Sequence, residues 1–151
     1  RDPHSLENDF HEVYVRDIVD DQLEAAAHHL AGRNITTRII EHERLTVLSS
    51  EAILSVIFGN LFRNALFHSE SPDIRIELNA HSLVIRDFGQ GMSGTVRDRV
   101  TGEPSGERPG AEKGNGIGLL LVKRLCDHFG WELSVQSEAG EGTAITVSFR
   151  A

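Results

Sequence analysis

The 151-residue sequence predicts an α+β domain, a two-layer sandwich in which a mixed, largely antiparallel sheet packs against three helices. Three observations predict it. The alternating runs IRIEL (74–78) and LVIRD (83–87) are separated by a short polar link, and WELSVQS and TAITVSF are joined by AGEG, so each pair reads as an antiparallel hairpin. Long apolar stretches near 50–68 and 116–129 have helical spacing. A third stripe, Val19, Leu23, Ala26, Ala27 and Leu30, also repeats at helical intervals.

Taken in order, residues 1–10 are polar, carry Pro3 and read as a linker. VYV (13–15) is a short strand candidate. Asp17 is a candidate cap for the first helix, which Gly32 stops. The β-branched runs 35–40 and 45–48 read as strands. Ser49 or Ser50 caps the second helix, which runs to about His68 before Pro72. The hairpin 74–87 follows. Between Phe88 and Asn115 the chain is rich in Gly, Pro and charge without periodicity, and such a long loop inside a domain is functional or disordered. The third helix starts near Gly116 and carries Leu120, Leu121, Leu125 and Phe129, before the final two strands.

Bulk properties narrow the function. A net charge of −8 argues against a nucleic-acid surface. No apolar run approaches the roughly 20 residues that span a bilayer, so the chain is not expected to be membrane-embedded. The single cysteine, Cys126, excludes an intrachain disulfide. A start at Arg1, with no leader pattern after it, reads as a fragment of a longer polypeptide.

The stretch DFGQGMSG (87–94) carries two familiar signatures, the DFG of protein kinases and a G-x-G-x-x-G turn. The first needs an upstream Gly-rich loop, a strand lysine and a catalytic loop, and none is present. The second needs glycines that open a helix leading to a parallel strand. Here VRDRVTGEPSGERPG follows, and it cannot hold a helix past Pro104.

Three companions give a better account. Asn60 and Asn64 lie four apart on a helix that is apolar nearly all round, so they share a face. Buried amides are costly unless they are hydrogen-bonded or ligate something. Either neighbouring backbone satisfies both, or their oxygens are offered to a hard cation such as Mg²⁺. In KGNGIGLLLVKRL (113–125), Gly114, Gly116 and Gly118 alternate at a helix start, where free N–H groups and the helix dipole favour an anion. The third companion is GEGT (140–143), in isolation a turn between strands.

Asn60-x-x-x-Asn64, Asp87-x-Gly89-x-Gly91, Gly114-x-Gly116-x-Gly118-Leu119 and Gly140-x-Gly142-Thr143 occur in this order over roughly 11–150. Together they resemble the N box and glycine boxes of the catalytic ATP-binding domain of sensor histidine kinases, of the superfamily that includes gyrase B, Hsp90 and MutL. The resemblance implies the Bergerat ATP-binding fold over 11–151, with an ATP lid at about 92–113 and a linker, 1–10, from an upstream dimerisation region.

It also implies roles. Asp87 would accept a hydrogen bond from the adenine amino group, with Gly89 and Gly91 letting the chain pass close to the base. Asn64 would ligate Mg²⁺ across the phosphates of ATP, with Asn60 supporting it. Lys113, Gly114, Gly116, Ile117, Gly118 and Leu119 would line the phosphate side, and Thr143 and His68 would lie near the base. The implied reaction is transfer of the γ-phosphoryl group to a histidine on a dimerisation domain, then to a response regulator, in a phosphorelay of a two-component system. The implied parent is a homodimer in a bacterial inner membrane with this domain in the cytoplasm. Relatives that hydrolyse ATP often carry glutamate at the position of Asn60. An amide cannot take a proton from water, so slow hydrolysis is expected.

The sequence departs from the pattern at three places. Phe67 stands where many members have Lys or Arg, leaving Arg63 or Arg97, Arg99, Arg108 and Lys113 to meet phosphate. The lid lacks the Phe-containing box, with Val100 in its place. No phosphoacceptor is visible: His11-Glu12 lies in the strand-like run HEVYV, too near the N box for a dimerisation hairpin to fit between. Two rival readings are an anti-sigma-factor-type serine kinase, which shares the boxes, and a degenerate interaction module that no longer uses ATP. His28-His29 and Glu41-His42-Glu43 read as solvated faces, and Cys126 as packing.

Overall fold

The computed structural model describes residues 10–33, 35–68, 73–88, 113–138 and 142–149. The linker 1–10 (apart from Phe10), Gly89, Gly91, Gly140 and the lid segment up to residue 112 lie outside the described residues. Strand β1 (His11–Tyr14) pairs antiparallel with β3 (Thr46–Ser49) in a two-stranded ribbon. A five-stranded sheet holds β2 (Thr36–Glu41), β4 (Asp73–Leu78), β5 (Ser82–Asp87), β7 (Gly142–Ser148) and β6 (Glu132–Glu138), in that spatial order. The β4–β5 and β6–β7 pairs are antiparallel, as the two hairpin readings require, β5–β7 is antiparallel as well, and β2 runs parallel to β4, so the sheet is mixed. His11 is a strand residue, 2.9 Å from Glu51.

Alternation along the strands separates two faces. On the inner face three cross-strand rows stack: Leu78–Leu83–Val147, Ile76–Ile85–Ile145–Val135, and Ile74–Asp87–Thr143–Ser137. The first two are apolar, and their side chains, each worth about 2 kcal/mol when fully buried, belong to the core. The third row turns polar after Ile74. The core therefore ends, at one margin of the sheet, in a line of oxygen-bearing side chains, of which Asp87 and Thr143 are buried and Ser137 partly so.

The helices cover this face. α3 (Glu51–His68) is the central one, packing on α1 (Val15–Ala25), α4 (Lys113–Phe129) and β5. Its all-round apolarity follows from having neighbours on several sides. Of the two serines offered as its cap, Ser50 serves: its Oγ accepts from the Ile53 N–H at 3.3 Å. At the far end of α4, Gly130 adopts φ +76° and the Trp131 N–H reaches back to the Cys126 carbonyl at 2.8 Å, a Schellman stop.

Three sequence expectations need correction. The first helix starts at Val15, not near Asp17, because the Val15 N–H is taken by the Leu45 carbonyl at 3.0 Å and no side-chain cap is made. Asp17 instead sits in the first turn, where a carboxylate suits the helix dipole. That helix also divides at Ala26 (φ −93°, ψ 4°), giving α2 (Ala27–Arg33) as a separate piece, and no local residue accounts for the break. Finally, α4 begins at Lys113, three residues before Gly116, so its glycines lie inside the first two turns.

Cys126 is fully buried among core residues, and burial, reinforced by Asp127, pushes its thiol up to about 11 from 9.0. Alkylation of the native chain at neutral pH should therefore be at least about 100-fold slower than in denaturant, from the thiolate fraction alone. Because the folded pKa is the higher one, the folded state favours the neutral thiol, and stability should fall as pH rises from about 9 towards 11. Denaturant titrations at pH 8 and pH 10.5, with Cys126→Ala for comparison, check the slope: the variant should lose part of the alkaline fall.

Candidate functional site

The site builds up where α3, α4 and the polar row of the sheet meet. Asn64 lies on α3 and is only 2% exposed, yet neither its Oδ1 nor its Nδ2 has a hydrogen-bond partner among the described residues. Leaving both ends of a buried amide unmet costs about 1–3 kcal/mol each. Such an arrangement persists where a ligand completes it. Asn60, one turn earlier, is different. Its Nδ2 donates to the Val56 carbonyl at 2.7 Å and its Oδ1 accepts from Arg63 Nη2 at 3.1 Å. The two readings of the amide pair thus divide: neighbouring groups satisfy Asn60, and Asn64 is left open.

Gly118, in the second turn of α4, lets the two helices close on each other here. A Cβ at this position would lie 2.9 Å from Asn60 Oδ1. The glycine thus allows close packing on α3, a role its place in the glycine run does not announce. Leu119 beside it is fully buried. Lys113, Gly114, Gly116 and Ile117 form the start of α4, and His68 ends α3. Their side chains are outside the described residues. The N–H groups of residues 113–116 have no acceptor within the helix, as at any helix start.

Asp87 ends β5, 2% exposed, directly opposite Ile74 and Thr143. Thr143, equally buried, holds its Oγ1 3.1 Å from Ser137 Oγ on β6. A buried carboxylate and two hydroxyls in one row can accept and donate to a polar heterocycle.

The residue that shapes this row is Gly142. Its φ is +100°, a conformation that L side chains rarely adopt, and a Cβ there would stand 2.2 Å from the Asp87 carbonyl oxygen and 2.8 Å from the Phe88 Cα. In the sequence the GEGT turn implies a site role for Thr143 alone, and nothing there singles out Ser137. The signal for Gly142 was present, a second glycine immediately before a strand.

Phe67 is 60% exposed on α3, and Arg63, offered as a substitute phosphate contact, lies across Gly59 and bonds Asn60. His42 of the Glu41-His42-Glu43 run lies 3.1 Å from Glu77.

Beyond this geometry, a model of the histidine kinase-, DNA gyrase B- and HSP90-like ATPase family matches residues 49–151. The chain belongs to this family. The match covers α3, β4, β5, α4 and the last hairpin, which are the elements that assemble the site. ATP use follows from membership of this ATPase family.

Among curated relatives, the chain is 31% identical over 129 residues to Sensor histidine kinase YkoH of Bacillus subtilis, covering 72% of this chain and 25% of that protein. It is 32% identical over 116 residues to Sensor protein BceS of Halalkalibacterium halodurans, covering 73% and 35%. It is 26% identical over 146 residues to Sensor histidine kinase GraS of Staphylococcus haemolyticus, covering 93% and 42%. The chain therefore spans less than half the length of these curated relatives.

Solved structures of the same fold include the cytoplasmic segment of histidine kinase QseC (TM-score 0.70, 19% identity, 95% of this chain and 75% of that one). Full-length ShkA in complex with AMPPNP is a second (TM-score 0.77, 22% identity, 93% and 31%). Among the described residues no helix is long and apolar enough to cross a membrane.

Proposed function

We propose that this chain is the ATP-binding catalytic domain of a sensor histidine kinase, acting on a histidine carried outside these residues. The observation that carries the reading is Asn64: a buried amide with both ends unmet, on the family's central helix. An amide oxygen held in that way suits a hard cation bound together with phosphates. In this reading Asn64 holds Mg²⁺ and Asn60, anchored by Val56 and Arg63, keeps the helix face in shape. Bound Mg²⁺ would supply neutralisation of the charge on the phosphates.

Asp87 selects adenine by accepting from its amino group, a contact that guanine, with an exocyclic carbonyl oxygen at the corresponding position, cannot offer. Thr143, positioned by Ser137, borders the base with Gly89, Gly91 and His68. Lys113, Gly114, Gly116, Ile117, Gly118 and Leu119 form the phosphate side at the start of α4, and 92–113 act as the lid. Transfer breaks the bond from the γ-phosphorus to its bridging oxygen and makes a bond to an imidazole nitrogen, leaving ADP. Asn60 is no base, so water competes poorly. The acceptor belongs to a dimerisation domain joined through 1–10 in a homodimeric parent. That parent sits in a bacterial inner membrane with this domain on the cytoplasmic side, and a response regulator receives the phosphoryl group.

The test is transfer in trans. The chain is incubated with γ-labelled ATP and the separately produced dimerisation domain of its parent polypeptide. The expected result is label on that domain that acid removes and alkali does not, and that is lost with Asn64→Leu. Acid-stable label on a serine would replace this reading with that of a serine kinase.

A further inference from the structure

The outer face of the sheet carries a feature that the nucleotide site does not use. Arg38 of β2, Arg75 of β4 and Arg86 of β5 stand in one cross-strand row, Arg38 opposite Arg75 and Arg75 opposite Arg86. Neighbouring strands lie about 4.8 Å apart, and like charges directly opposite one another are unfavourable. The row is also unusual in a chain whose net charge is −8. Among the described residues only Arg86 of the three is ion-paired, its Nε 4.0 Å from Glu77, which also meets His42. Asp73, two residues before Arg75 on the same face, lines the same place without an ion pair to Arg38 or Arg75.

Protection of an exposed sheet edge explains Arg38, because β2 is the outermost strand. It does not explain Arg75, which lies on an interior strand. The Nε of Arg75 is buried without a hydrogen-bond partner, and its guanidinium carbon lies 5.3 Å from the centre of the Phe88 ring. Thr36, Arg38, Asp73, Ile74, Arg75 and Phe88 line a cleft of about 350 Å³ at this place, which is at the lower end of ligand-sized cavities.

We propose that this cleft is a second binding site, one for a polyanionic ligand whose oxyanions meet the guanidinium groups of Arg38 and Arg75. A guanidinium offers a planar fork of donors matched to carboxylate and phosphate alike. The row extends over three strands, so two linked oxyanions fit it better than one. Phe88, whose ring lies under the Arg75 guanidinium, ties the cleft to the strand end that carries Asp87. Nothing in this inference depends on what the inner face binds.

The test titrates the ¹⁵N-labelled chain, holding just enough ADP to saturate the Asn64, Gly118 and Thr143 signals of the inner face, with inorganic tripolyphosphate in one arm and a glutamate hexapeptide in the other. The side-chain Nε–H signals of Arg38 and Arg75 and the backbone amides of Thr36, Arg75 and Phe88 are followed. The expected result is a saturable shift confined to these signals, weakened about tenfold or more in Arg38→Gln/Arg75→Gln and reduced by added salt. A response in the first arm assigns a phosphate ligand, and in the second a carboxylate-bearing segment. Unchanged Trp131 and β6 signals show that the double variant is folded. The proposal is overturned if neither probe gives a saturable shift at millimolar concentration, if the double variant binds as well, or if shifts fall only on Asn64, Gly118 and Thr143.

Discussion

Gly142→Ala is expected to destabilise the chain by about 2–4 kcal/mol, combining a strained left-handed backbone with a steric clash, and to remove nucleotide binding with it. The clash cannot be relieved by turning a side chain, because the atoms met are the Asp87 carbonyl oxygen and the Phe88 Cα, both backbone. Either β7 slides away from β5 or the end of β5 moves, and both displace Asp87 and Thr143 from their shared row. Gly130→Ala is the control. It has a comparable φ of +76° but open space around the added carbon, so it carries only the backbone term, about 1 kcal/mol. Thermal melting should give a fall of roughly 5–15 °C for the first variant and only a few degrees for the second. Equal falls would mean that the contact with Asp87 and Phe88 contributes nothing.

Asn64→Leu is expected to move stability and function in opposite directions. Leucine has the same branching at Cγ and no polar atoms, so the variant relieves a buried amide with two unmet groups. Stabilisation of the nucleotide-free chain by about 1–2 kcal/mol should follow, read as a higher midpoint in urea with an unchanged slope. Nucleotide affinity should at the same time lose its dependence on Mg²⁺. A residue kept at a cost to folding is what a ligand-completed site requires. If Asn64→Leu is less stable than the parent sequence, the amide has partners that its surroundings do not reveal, and the argument for a cation there fails. Asn60→Leu gives the contrast. It breaks bonds to Val56 and Arg63, so it should be destabilising.

Much of this was legible because period and position carry it. The alternation in 74–78 and 83–87 implies a buried face, and the polar exceptions on that face, Asp87 and Thr143, fall at the strand ends where the core stops. The spacing of Asn60 and Asn64 placed both on one side of α3. It could not say which amide was satisfied, because that depends on the rotamer of Arg63 and on the Val56 carbonyl. Gly118 read as a phosphate glycine, since contact with Asn60 across two helices leaves no local trace. The break at Ala26 was invisible for a related reason: alanines favour helix continuation, and only tertiary packing overrides them. The start of α1 at Val15 likewise depends on a carbonyl thirty residues away in sequence, that of Leu45.

The most direct test of the central claim is calorimetric titration of the chain with ADP and a non-hydrolysable ATP analogue, with and without Mg²⁺, beside Asp87→Asn. One Mg²⁺-dependent nucleotide site is predicted, weakened by about 10- to 100-fold in the variant, as loss of a charge-assisted hydrogen bond implies, and weakened again when Mg²⁺ is withheld. No binding at millimolar nucleotide, or equal binding by Asp87→Asn, would contradict it and leave a module that binds partners without using ATP.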